Sequence, residues 1–150
     1  MSAELALVDT NVLVYAFHRE SEHHAACRAL LDQAQNGQIA LCITSQVLAE
    51  FYAIVTDRRR VGVPRQPEET LRAIAAILAM PGVTVLPVPA DVVTRWTALV
   101  QQHPVTGGAV FDAQLAATML GNGIARMYTF DRSHFERYEE LEVLTPQPVD

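Results

Sequence analysis

Short apolar runs alternate along this chain with longer segments of helical period. Leu5 to Val8 is an apolar run ending in Asp9-Thr10-Asn11, which can cap a helix, and Val12 to Phe17 continues apolar; a strand turning directly into a helix is predicted. From about His23, Ala26, Cys27, Leu30, Leu31 and Ala34 recur at helical spacing until Asn36-Gly37 stops them. Ile39 to Ile43 reads as a second buried strand, and Thr44-Ser45 caps a helix carrying Val47, Leu48, Phe51 and Ile54. Pro67-Glu68-Glu69 starts another helix, whose buried face is expected to be Leu71, Ile74, Ile77 and Leu78, ending at Pro81-Gly82. Thr84 to Leu86 is a third strand, followed by a helix from about Ala90 to Gln101 with Val92, Trp96 and Leu99 inward. The Thr106-Gly107-Gly108 loop leads into a helix over Val110 to Leu120, closed by Gly121-Asn122-Gly123. Ile124 to Thr129 is a fourth strand, Asp131 to Tyr138 a loop or short helix, Leu141 to Leu144 a candidate fifth strand, and Pro146 to Asp150 a fraying end.

Parallel strands need crossover helices, so this alternation predicts an α/β fold of three layers: a central parallel sheet of four to five strands flanked by helices. At 150 residues the expectation is one domain over 1–150. Half the residues are hydrophobic and 19% charged, a balance that suits a packed globule rather than a disordered chain. The opening Met1 to Asp9 lacks the basic start and sustained apolar run of a signal peptide, and charged, Gln or Pro residues interrupt every candidate membrane span, so a cytoplasmic protein with no membrane association is expected. Cys27 and Cys42, in apolar surroundings without CxxC spacing, read as reduced core thiols.

Charge changes the picture more. The formal net charge is −6 and all eleven basic residues are arginine. A negative chain repels phosphate backbones at long range, so nucleic-acid binding would need a local basic patch or metal ions. The absence of lysine removes the P-loop and Schiff-base mechanisms.

In a doubly wound sheet, ligands collect at the carboxyl ends of the strands. Asp9 directly follows the first strand and Asp131 follows the fourth; Asp112 lies in the first turn after the Gly-rich loop, and Glu50 about a turn and a half into its helix, within reach of the same rim. Each acid alone has an ordinary explanation as a cap, a solvated helix residue or a turn former. Together they are less ordinary, because Asp112 and Glu50 interrupt otherwise apolar helices, where desolvation is costly without a charge partner. Four converging carboxylates would repel one another unless a cation joined them, and oxygen ligands without a Cys or His set favour Mg²⁺ or Mn²⁺ over Zn²⁺. Such a site suits phosphodiester hydrolysis.

The stretches Asp-Thr-Asn-Val-Leu-Val-Tyr-Ala (9–16), Ser-Gln-Val-Leu-Ala-Glu-Phe-Tyr (45–52), Phe-Asp-Ala-Gln-Leu-Ala-Ala (111–117) and Thr-Phe-Asp-Arg-Ser-His-Phe (129–135) resemble, in order and spacing, the motifs of the PIN-domain family, and in particular its VapC toxins. The resemblance implies a PIN-like fold and a Mg²⁺- or Mn²⁺-dependent endoribonuclease. It implies that Asp9, Glu50, Asp112 and Asp131 are the catalytic and metal-binding quartet, supported by Asn11 and Thr129. It further implies a VapB-like antitoxin partner and a homodimer, the latter also suggested by apolar helical faces between Leu71 and Val100.

Arg58, Arg59, Arg60 and Arg65, against Asp57, give residues 51–65 a local charge of +3. They either grip RNA phosphates or form a solvated helix end. The five histidines lack metal-ligand spacing, and Trp96, Tyr52 and Tyr128 read as core rather than base-stacking residues. A Mg²⁺-dependent phosphatase of the haloacid dehalogenase type shares the α/β logic but would want a second Asp where Asn11 stands and a later lysine. A non-catalytic RNA- or protein-binding module is the other alternative.

Overall fold

The computed structural model describes residues 4–149; Met1 to Ala3, within the predicted leaderless start, and Asp150 lie outside the described residues. Twelve elements follow in the order β1 (Ala6–Val8), α1 (Thr10–Ala16), α2 (His24–Gln35), β2 (Leu41–Ile43), α3 (Ser45–Val55), α4 (Pro67–Leu78), β3 (Val83–Val85), α5 (Val92–Gln102), α6 (Ala109–Gly121), β4 (Arg126–Tyr128), α7 (Arg132–Phe135) and β5 (Glu142–Leu144). The α/β class and the fully parallel sheet agree with the alternating pattern, and the fifth strand is present. Among the described residues no helix is long and apolar enough to cross a membrane.

Each strand is only three residues long, so burial rather than length holds the inner strands in place, while the edge strand β3 has no fully buried residue. β1 and β2 are buried along their whole length, and Leu7, Cys42 and Met127 have no exposed surface. Burial raises the Cys27 and Cys42 thiols to about 12, so both are inert core groups. Strand order is β3-β2-β1-β4-β5. The chain therefore steps outward from β1 through β2 to β3, then crosses back to β4 on the other side of β1. With right-handed crossovers this reversal sends the intervening helices to opposite faces; α1 packs on both α2 and α3, α3 on α4, and α5 on α6. The reversal between β1 and β4 also opens a crevice at their carboxyl ends.

One expectation is corrected. The buried face of α4 is Thr70, Ala73 and Ile77, while Leu71 and Leu78 are 57% and 47% exposed. Thr70 tolerates burial because its hydroxyl donates to the Gln66 carbonyl, and the stripe's phase is set by what α3 and β3 offer rather than by where leucines fall. At the carboxyl end Pro146 is buried and residues 147–149 are exposed; the four share a depression with Ala26, Ala29 and Leu30 of α2, and Asp150, the last residue of the expected fraying end, lies outside the described residues.

Gly82 is required by close approach. Its N–H donates to the Ala34 carbonyl at 2.9 Å and its carbonyl accepts from Leu41 N at 2.7 Å, so a Cβ there would collide with the Ile39 carbonyl and stand 2.7 Å from the Ala34 oxygen. Backbone cannot move aside as a side chain can. Gly82→Ala should therefore destabilise the protein by about 2 kcal/mol or more, whereas Gly108→Ala, at φ −62° with open space around it, should change stability by less than about 0.5 kcal/mol. Urea unfolding of both variants checks this.

Candidate active site

The crevice at the β1/β4 reversal is a cleft of about 520 Å³. Asp9, Glu50, Asp112 and Asp131 all line it. Each arrives from a different element for a local reason. Asp9 ends β1 and caps α1, its Oδ1 accepting from Thr10 N at 2.8 Å. Glu50 rides on α3, which starts where the Thr44 hydroxyl accepts from Val47 N at 3.1 Å. Asp112 stands in the first turn of α6, and Asp131 precedes α7 beyond the end of β4. The Gly-Gly pair before α6 divides its work: Gly107 has φ +60°, a region that suits glycine, and Gly108 begins the helix.

Neutral donors hold the acids in place. The buried Thr129 hydroxyl donates to Asp9 Oδ2 at 2.8 Å while accepting from Asp131 N at 3.0 Å and Asn11 Nδ2 at 3.3 Å. Asn11 Nδ2 also donates to Asp131 Oδ2 at 3.1 Å, and Asn11 Oδ1 accepts from Phe130 N at 3.3 Å. Asn11 and Thr129 thus both donate to acids of the cleft. Thr10, Gln46 and His134 are additions that the motifs do not point to. The Thr10 hydroxyl donates to Glu50 Oε2 at 2.9 Å, and Gln46 Nε2 donates to Glu50 Oε1 at 3.1 Å and to the Phe111 carbonyl at 3.2 Å, tying α3 to α6. The i,i+4 spacing of Gln46 to Glu50 is a signal that could have found it. His134 Nδ1 lies 3.2 Å from Asp112 Oδ2, an approach of α7 to α6 with no sequence signal.

The electrostatics are unusual for structural acids. Burial raises Asp9 to about 6, against its hydrogen bonds from Thr129 and Thr10, and nearby Asp131 and Asp112 push in the same upward direction. Asp112 is also raised, mainly by burial; His134 opposes the rise, and Asp131 and Glu50 add to it. Among the described residues no basic side chain forms an ion pair with Asp9, Glu50 or Asp131. An all-oxygen donor set with a buried, uncompensated carboxylate at its centre fits a hard divalent cation. The acids line one cleft but do not yet converge: among the described residues no three acidic, imidazole or thiol groups are close enough to enclose one ion. Like charges stand apart: Asp9, Glu50 and Asp131 are each held by neutral donors, and Asp112 has His134 as its partner.

The arginines do not form one patch. Arg60 lines the cleft rim with Val61 and Gly62. Arg58 is exposed, and Arg59 pairs with Asp57 at 3.3 Å. Arg65 turns away to donate to the Phe17 carbonyl at 2.6 Å. Trp96, Tyr52 and Tyr128 are half-buried, with Trp96 and Tyr128 packed against the core.

The family model described as PIN domain matches residues 6–141. The chain is 36% identical to Ribonuclease VapC43 of Mycobacterium tuberculosis over 137 residues, covering 89% of this chain and 90% of that protein. It is 26% identical to Ribonuclease VapC48 of the same species, covering 92% and 94%. Its fold resembles the crystal structure of M. tuberculosis VapC20, described as a sarcin-ricin-loop-cleaving toxin, with a TM-score of 0.65 at 20% identity over 90% of this chain and 95% of that one. It also resembles the DNA-bound VapBC of Salmonella typhimurium, with a TM-score of 0.64 at 16% identity over 95% and 98%.

Because the folded-state pKa of Asp9 is raised from 3.8 to about 6, the native state binds its proton more tightly than the unfolded chain does. Stability without divalent ions should therefore fall as pH rises from about 4 to 6, by up to about 3 kcal/mol. Asp9→Asn should flatten that fall, and Mg²⁺ at neutral pH should raise the melting temperature of the wild type but not of this variant. An equal pH slope in both proteins, measured by denaturant unfolding, would show that burial of Asp9 costs nothing.

Proposed function

The chain belongs to the PIN-domain family, and from that premise we propose that it is a divalent-metal-dependent endoribonuclease, the toxin of a VapBC-type pair, with its activity in a single domain. The observation that carries the reading is the buried Asp9 carboxylate, which shares a cleft with three other acids and has no cationic partner among the described residues. Asp9 and Asp112 would hold Mg²⁺ or Mn²⁺ in the cleft they line together, with Glu50 and Asp131 as further oxygen donors. When bound, the cation supplies acidification of a water and charge stabilisation for in-line displacement at phosphorus. In the reaction the water oxygen bonds to phosphorus, the bond to the departing ribose oxygen breaks, and a proton from the water ends on that oxygen.

The chain's own polar groups set the geometry. Thr129 and Thr10 N hold Asp9 at one rotamer, Thr10 and Gln46 hold Glu50 from both sides, and Asn11 holds Asp131. Such partners fix ligand direction. Arg60 at the rim and the exposed Arg58 two positions before it meet substrate phosphates, with Arg59 held by Asp57 and Arg65 in the neighbouring cavity. Toxin–antitoxin complexes among the structural neighbours support a VapB-like partner. A cluster of carboxylates attracts an arginine or lysine as it attracts a metal, which gives such a partner its means of inhibition.

Cleavage of a mixed RNA pool should require Mg²⁺ or Mn²⁺ and fall roughly hundredfold or more in Asp112→Asn with the fold intact. Thr129→Val should weaken metal affinity by about 10- to 100-fold. Activity confined to small phosphomonoesters would point to a phosphatase instead, and metal-independent binding without turnover would point to a binding module.

We also propose a homodimer. Leu71, Leu78, Val85, Val88 and Val93 are all substantially exposed within the span where sequence expects apolar helical faces. Sedimentation at about 20 μM should give a dimer, a range suited to a moderate interface, and Leu71→Asp with Leu78→Asp should give a monomer; a wild-type monomer would refute it.

A further inference from the structure

A second cavity of about 360 Å³ adjoins the acidic cleft and carries the opposite charge. Its walls include Phe17, Arg19, His24, Arg28 and Arg65. The same two chain segments build both cavities. In and just beyond the last turn of α1, Val14, Tyr15 and His18 face the cleft, while Ala16, Phe17 and Arg19 face the second cavity. In the loop after α3, Arg60, Val61 and Gly62 face the cleft and Arg65 faces the second cavity.

The guanidinium groups are held in position with donors to spare. Arg28 and Arg65 each stand 5.7 Å from the centre of the Phe17 ring. Arg28 spends Nε on Asp32 at 3.3 Å, and Arg65 spends one amino group on the Phe17 carbonyl and approaches Glu69 at 3.9 Å. An arginine has five N–H donors, so neither is exhausted. Arg19 is exposed and makes no ion pair among the described residues. Three arginines against Asp32 and Glu69 leave a positive pocket in a chain of net charge −6. His24 Nδ1, 3.0 Å from the Tyr15 carbonyl, donates to it and steadies the wall. Two guanidinium groups drawn to one ring line the same cavity, and an anion there would accept from donors of both.

We propose that this pocket binds a backbone phosphate of the RNA strand that occupies the acidic cleft. The inference rests on the endoribonuclease reading above. A strand leaving the acids past His18 and Arg60 reaches Arg19, Arg28 and Arg65 next, so attraction denied at long range by net charge is supplied beside the site of cleavage. The pocket is a positioning site: its arginines do not touch the scissile bond.

The test uses the full chain and a single-stranded RNA of about 20 nucleotides, with Asp112→Asn as the background for binding so that the RNA stays intact. Adding Arg19→Gln and Arg28→Gln together should weaken binding about tenfold at low salt and lower the log–log salt slope by about 0.7, the value for one phosphate no longer neutralised on a single strand. Arg95→Gln, which removes an arginine on α5 where Arg95 pairs with Asp91, should do neither. In the active enzyme the double variant should raise KM for long RNA with kcat unchanged, and leave cleavage of a fragment too short to reach the pocket as it was. Melting temperature verifies that the variant is folded. If it binds and cuts long RNA like its parent, the pocket is not an RNA site although the ribonuclease reading stands. A loss of antitoxin affinity alone would overturn the proposal in favour of a protein-binding surface. A parent enzyme that neither binds nor cuts RNA would overturn both readings.

Discussion

The Thr129 hydroxyl has one proton and two lone pairs, and all three are committed: the proton to Asp9, the lone pairs to Asp131 N and Asn11. This is possible because β1 and β4 are parallel neighbours in register, with Val8 opposite Tyr128, so that the next residue of each strand meets the other at the same rim. Asp9 N donates to the Tyr128 carbonyl and closes the same junction from the backbone. The geometry of the acidic cleft depends on this one junction. A slip of one residue between the strands would turn Thr129 or Asp9 to the opposite face and dissolve the set.

The junction is costly. Asp9 is taken out of water beside two other acids, and its two hydrogen bonds do not offset that burial. A protein keeps such a group where the charge is used. The surrounding structure provides for the cost with an unbroken apolar core beneath, in which Leu7, Val8, Val12, Leu13 and Met127 are fully buried. The same arrangement explains why the acids stand apart in the cleft rather than converge. Thr129 holds Asp9, Thr10 and Gln46 hold Glu50, and Asn11 holds Asp131, so these three side chains are directed by neutral donors without being neutralised.

Arginine is distributed to complement this. Residues 58–65 divide at Val61-Gly62, with Arg60 directed to the acidic cleft and Arg65 to the neighbouring cavity, where it meets Arg28 over Phe17. The last turn of α1 divides in the same way. Two cavities of opposite charge therefore lie side by side and share their walls.

Much of this is readable along the chain because it depends on neighbours in sequence. The strand-to-helix turn at Asp9, the cap at Thr44, the stops at Asn36-Gly37 and Gly121-Asn122-Gly123, and the parallel α/β class follow from local period and capping chemistry. The four acids stand out because two of them interrupt apolar helices. The α4 face differs from expectation because helical period reports amphipathicity and not which flank a neighbour covers; Thr70 is inside and Leu71 outside. The grip of Thr10 and Gln46 on Glu50, the approach of His134 to Asp112 and the sharing of one cavity by Arg28 and Arg65 bring together residues separated by 4, 22, 37 and 40 positions. Except for the i,i+4 pair, no local rule relates them. Sequence determined which elements form and which residues carry charge at their ends; only the order of strands, reversing between β1 and β4, decided which of those ends meet.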